Sequence, residues 1–134
     1  MKKAVLVLTC LLFVPTISLA ANEMRDGLWQ ITTQVEMAEM PMQIPATVIK
    51  HCYTKDDVKV REKFIATDKN CKVTEMKTTG NKVKWSMKCT GENAGTMTGE
   101  TVFAGDSYAS VMRMKAEGHN MTMKVKGKRL GNCE

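Results

Sequence analysis

The sequence predicts an all-β domain: a curved antiparallel meander of about six to eight strands, forming a half-barrel or barrel, with one short helix and disulfide staples. Three observations predict it. Apolar residues recur with a period of two, the pattern of a strand with one dry face. Beyond residue 20 the chain uses 13 Thr but only two Leu, Leu28 and Leu130, and shows no long stripe at helical spacing. Cysteines in the same stretch are even in number: Cys52, Cys71, Cys89 and Cys133.

The chain has 134 residues. It opens with Met1-Lys2-Lys3, an apolar run from Ala4 to Val14, and Ser18-Leu19-Ala20 before Ala21. This is the form of a secretory signal peptide cleaved after Ala20, and the run is shorter than the roughly 20 residues a spanning helix needs. Residues 1–20 are therefore expected to be an address and residues 21–134 a single exported β domain, periplasmic and not membrane-spanning. Without Lys2 and Lys3 the formal net charge falls from +6 to +4. One domain of this size buries only about two-thirds of its unfolded surface, too little for a large internal active site.

The first strand spans Leu28 to Met37, with Trp29, Ile31, Thr33, Val35 and Met37 facing one way and Gln30, Thr32, Gln34 and Glu36 the other. Ala38 to Ala46 contains Pro41 and Pro45, which lack ladder donors, so it is a loop or an edge. A strand resumes from Thr47 to Tyr53. Thr54-Lys55-Asp56-Asp57 then has the form of a capping box, starting a helix to about Lys63 that covers one end or the open face of the sheet through Val58, Val60 or Phe64. Val83, Trp85, Met87 and Cys89 oppose Lys82, Lys84, Ser86 and Lys88. Met97, Thr101 and Phe103 share a side with Gly99, where a bend or bulge is expected. Tyr108, Met112 and Met114 share a face, and Met121, Met123 and Val125 oppose Thr122, Lys124 and Lys126. Short turns at 104–106 and 117–120 separate these last strands.

Four cysteines in a small exported domain imply two disulfides. Thr79-Gly80-Asn81 is a turn signal between two strands. A three-residue loop, Thr79 to Asn81, places Cys71 opposite Cys89; a two-residue Gly80-Asn81 turn shifts the register by one, pairs Met76 with Trp85, and sends the cysteines to opposite faces. The Cys71–Cys89 pairing is favoured, leaving Cys52–Cys133 to tie the C-terminus to the first half. Chain entropy assigns ~3 kcal/mol to the short loop and ~4 to 5 kcal/mol to the long one.

Arg25-Asp26-Gly27-Leu28-Trp29, the Met40-Pro41-Met42 loop, Cys52-Tyr53-Thr54-Lys55-Asp56, Gly105-Asp106-Ser107-Tyr108 and Gly127 through Cys133 together resemble the bacterial domain-of-unknown-function family numbered 3617. The resemblance covers nearly all of residues 21–134 and implies an exported bacterial protein. It carries no activity, substrate or catalytic residue.

Catalysis is not expected. His51 and His119 lie on separate segments, oxidised cysteines offer no thiolate, and Ser86, Ser107 and Ser110 lack a nucleophile-elbow setting. Nucleic acid is excluded as a partner because the exposed aromatics that stack bases are missing. Residues 21–134 hold eleven methionines against 17 Leu, Ile, Val and Phe, so methionine must build the core, where its unbranched thioether fills irregular gaps. The expected function is non-enzymatic binding. A concave face bearing Trp29, Trp85, Phe103, Tyr108, Met112 and Met114, covered by the Ala38 to Ala46 loop, would hold an apolar ligand or a partner's apolar segment. One alternative is a Met-rich copper(I) site at Met37, Met40, Met42 and His119, since soft thioethers select Cu(I). Another is a filled core with a purely structural role. The outward lysines keep the strands soluble or attract an anionic envelope surface.

Overall fold

A computed structural model describes residues 23–40, 42, 44–59, 65, 68–116 and 118–134. The expected signal peptide, Val60 and Phe64 lie outside the described residues.

Among the described residues there are seven strands: β1 (Gly27–Met37), β2 (Thr47–Tyr53), β3 (Cys71–Thr79), β4 (Lys82–Cys89), β5 (Gly95–Phe103), β6 (Ser107–Ala116) and β7 (His119–Gly131). They form one open antiparallel sheet in the order β2-β1-β7-β6-β5-β4-β3. This is the cyclic order of an up-and-down barrel left open between β2 and β3. A short α-helix, α1 (Lys55–Lys59), follows β2. Thr54 and Asp57 form its reciprocal cap: the Thr54 N–H donates to Asp57 Oδ2 at 2.9 Å and the Asp57 N–H to Thr54 Oγ1 at 3.3 Å.

Topology explains what lies between β2 and β3. Six successive antiparallel steps separate these strands across the sheet, so they run in the same direction. Tyr53, at the end of β2, pairs with Gly27 at one end of β1, whereas Cys71 opens β3 beside Cys89 near the other. The connection must therefore return along the length of the sheet. Within it, Ile65 packs against the core.

The β3–β4 hairpin reconciles the two registers that compete in the sequence. Its turn is the two-residue one, with Thr79 opposite Lys82, Gly80 at φ +60°, and Met76 opposite Trp85. The ladder then shifts by one position between Val73 and Glu75, and Cys71 falls opposite Cys89. The expected three-residue loop is thus corrected: a bulge at Thr74 supplies the extra residue that the turn does not. Cys52 pairs with Cys133, their Cα atoms 5.7 Å apart, and ties edge strand β2 to the end of β7 across the intervening β1.

Gly99 is a second correction. The ladders on both sides of β5 run through it without a break. In place of a bulge, the Trp85 ring lies over Gly99 so closely that an added Cβ would collide with the indole. Gly127 on β7 is covered by the Tyr108 ring in the same way. Both glycines stand directly opposite the aromatic residue that covers them, which lets the ring lie flat along the sheet.

Candidate functional site

The dry face changes composition from one end to the other. At the end nearest Gly27, Trp29, Phe103 and Tyr108 are buried, with Trp29 5.5 Å from Tyr108 and 6.3 Å from Tyr53 between ring centroids. Trp29 satisfies its indole N–H by donating to the Arg25 carbonyl at 3.0 Å. The phenols of Tyr53 and Tyr108 are hydrogen-bonded to each other. Burial, first of all, pushes both above the usual tyrosine range; the Tyr108 hydroxyl partly offsets this at Tyr53, whereas the neighbouring Tyr53 adds to it at Tyr108.

Four of the five motifs that carry the family resemblance, at 25–29, 52–56, 105–108 and 127–133, converge on this aromatic end, whereas Met40 of the fifth lies at the opposite rim. Arg25 pairs with Asp106 at 3.1 Å, the Arg129 Nε–H donates to the Asp26 carbonyl at 2.8 Å, and Gly27, at φ +139°, lies against Arg129 and Gly131 without room for a side chain. These contacts tie the start of β1 to the β5–β6 turn and to the end of β7.

Further along, two hydroxyls enter the core. Thr101 and Ser110 are buried, 2.8 Å apart, and the Trp85 indole N–H donates to Thr101 Oγ1 at 3.3 Å. One hydroxyl hydrogen closes the Thr101–Ser110 bond, so among the described residues the other has no acceptor assigned to it.

Beyond this pair the face turns to methionine. Cross-strand register places Met37, Met121, Met114, Met97 and Met87 side by side on β1, β7, β6, β5 and β4, a single row across five adjacent strands. A neighbouring row contains Val35, Met123, Met112, Gly99 and Trp85. Here the face opens into a cleft of about 440 Å³. Met112, Met114, Met121 and Met123 line it, with Trp85, Tyr108 and the two hydroxyls deeper and Tyr53, Ile65 and Asp68 at its margin.

Of the six residues expected to bind an apolar ligand, Trp85, Tyr108, Met112 and Met114 line this cleft, whereas Trp29 and Phe103 belong to the closed aromatic end. The expected lid is corrected. No described residue of 38–46 lines the cleft. Its first residues turn back at the far rim instead, with the Met40 N–H donating to the Met37 carbonyl at 3.4 Å and the Ala38 N–H to the Asn120 carbonyl at 3.3 Å. Residues of the β2–β3 connection border the cleft in its place.

At that rim a second pocket, of about 700 Å³, brings together Met37, Met40, Met114, Met121 and His119. His119 Nδ1 lies 3.0 Å from Glu39 Oε2. Met42 does not line this pocket and is 75% exposed, so the expected four-residue metal set loses Met42 and gains Met114 and Met121. Sequence spacing could not show this gain, because strand register alone joins residues about 80 positions apart.

The outward face is only partly basic. Lys82 and Lys84 share Glu100, at 3.0 and 3.6 Å, and the hydrogen bond from Lys82 holds that carboxyl below its usual range. Lys124 pairs with Glu36 at 2.7 Å. Lys126 and Lys128 have no ion pair among the described residues.

The protein family of unknown function DUF3617 matches residues 24–133. The chain belongs to this family. No curated protein and no solved structure gives a match. In this DUF3617 member four of the five family-like motifs build the aromatic end, and the methionine rows, with Met40 at their rim, build the other. Sequence reasoning missed Ser110, Tyr53 and Ile65 as parts of the cleft. Only the alternation of β6 hinted that Ser110 faces inward.

Proposed function

We propose that this protein is an exported, non-enzymatic binding domain whose methionine-lined cleft holds an apolar small molecule bearing one hydrogen-bond acceptor. The observation that carries the reading is the contrast along one face: rings fill the closed end, while half-buried thioethers surround a cleft of about 440 Å³ at the other. That volume falls within the ~300–1,000 Å³ typical of small-molecule sites. Thioethers on flexible stems adapt to apolar ligands of varied shape. The spare hydroxyl hydrogen of the Thr101–Ser110 pair offers one directional contact, suited to a carbonyl or ether oxygen. Pairing of Cys52 with Cys133 and of Cys71 with Cys89 supports an oxidising compartment such as the periplasm.

Displacement of an environment-sensitive naphthylamine probe by long-chain alcohols and methyl ketones tests this reading. The parent protein should bind the probe at one site. Met112→Lys should weaken binding more than about tenfold, since the cleft would then have to desolvate a charge. Equal binding by parent and variant would reject the cleft as the site. Native mass spectrometry of the protein purified from its host should reveal a retained small molecule. Retention of a peptide or protein segment would move the reading to a partner's apolar segment.

A further inference from the structure

We propose that the rim pocket is a copper(I) site built from the Met37, Met40, Met114 and Met121 thioethers with the His119 imidazole. The site does not depend on ligand binding in the cleft.

Its donors come together for identifiable reasons. Met37, Met121 and Met114 are cross-strand neighbours on β1, β7 and β6, and side chains directly opposite in a sheet have Cβ atoms about 4.5–5.5 Å apart. The turn at Met37–Met40 brings a fourth thioether to the same pocket, and His119 opens β7 two residues before Met121. A packed core does not explain this set: Met40 is 55% exposed, and His119 carries its polar ring at the rim.

The hydrogen bond to Glu39 adds a second feature of a metal site. A carboxylate accepting from Nδ1–H fixes the tautomer and leaves the Nε2 lone pair available for a metal, the usual carboxylate–histidine–metal arrangement. Thioethers and neutral imidazole carry no charge, so the set suits a soft monovalent ion. Hard cations such as Mg²⁺ or Ca²⁺ prefer carboxylate and carbonyl oxygen. Glu39 and Glu92, both lining the pocket, supply balancing negative charge without being required as ligands.

The test is competition for Cu(I) against a chromogenic chelator, using the oxidised protein without residues 1–20. Met37 and Met40 do not line the cleft, so Met37→Leu/Met40→Leu separates this proposal from the apolar-ligand reading. One Cu(I) should bind per chain, with affinity falling at least about a hundredfold in the double variant and about 10- to 100-fold in Glu39→Gln, the range for outer-shell partners. Naphthylamine binding in the double variant should stay at the parent's level. A second measurement does not rely on any variant folding: in the parent, the methyl NMR signals of Met37, Met40, Met114 and Met121 should shift together on stoichiometric Ag(I), a redox-inert stand-in, while that of Met76 stays in place. Absence of Cu(I) binding by the parent, undiminished affinity in the double variant, or Ag(I) shifts at methionines outside the pocket would each overturn the proposal.

Discussion

Cys71 stands directly opposite Cys89, their Cα atoms 4.0 Å apart, although the turn joining their strands would by itself place Cys71 against Thr90. The difference of one position is absorbed at Thr74. Without the bulge the two cysteines would project from opposite faces of the hairpin.

Deleting Thr74 should therefore preserve the disulfide. Removing the bulged residue leaves a regular ladder in which the Gly80–Asn81 turn already sets Cys71 against Cys89. Deleting Lys84 from the partner strand should instead displace Cys89 and disrupt the link. Peptide mapping without reduction distinguishes the two deletions. Loss of Cys71–Cys89 in the Thr74 deletion would show that the bulge does not set the register.

Gly99→Ala and Gly127→Ala should each destabilise the protein by about 1–3 kcal/mol, the usual cost of forcing a buried group into packed space. The new methyl would meet the Trp85 ring in one case and the Tyr108 ring in the other. Urea denaturation measures the loss. Combining Gly99→Ala with Trp85→Leu should cost less than the sum of the two changes, because the obstructing ring is gone.

Thr101→Val conserves volume but leaves the Trp85 N–H without its acceptor and Ser110 without its hydroxyl partner. A buried donor left unsatisfied costs about 1–3 kcal/mol. Ser110→Ala keeps the indole bond and should be milder. If denaturation midpoints rank the two variants the other way, the indole contact is not the dominant one.

Stability should fall at alkaline pH for a reason that can be located. The phenols of Tyr53 and Tyr108 are held above the usual range in the folded protein, whereas unfolded tyrosine ionises near pH ~10. Above that pH the unfolded chain releases protons that the folded protein retains, so the stabilising contribution is full below about pH 10 and is lost as pH rises further. Urea melts at pH 8 and pH 11 should show a smaller drop for Tyr108→Phe than for the parent. An equal drop would assign the alkaline loss to other groups.

Much of the local structure was legible in the residues. Alternation along 28–37, 82–89 and 121–126 identified strands and their dry faces, because side chains in a strand point to opposite faces at a fixed period of two. The capping pair Thr54 and Asp57, the turn at Gly80 and the Cys71–Cys89 pairing follow from contacts within about 20 residues along the chain. Local alternation also put Met87, Met97, Met114 and Met121 on inward faces, but it could not align them with one another.

That alignment was decided by the tertiary structure. The pairing of β1 with β7 joins segments some 90 residues apart, and its register is set by hydrogen-bond ladders and side-chain packing that no short window of sequence contains. The same pairing draws Met37 and Met40 toward Met121 and His119 and carries Glu39 to the rim with them. Parity decided the rest: β2 and β3 run in the same direction, so the chain between them must return along the sheet. The sequence by itself therefore determined which residues face inward, and the fold determined which of those residues meet.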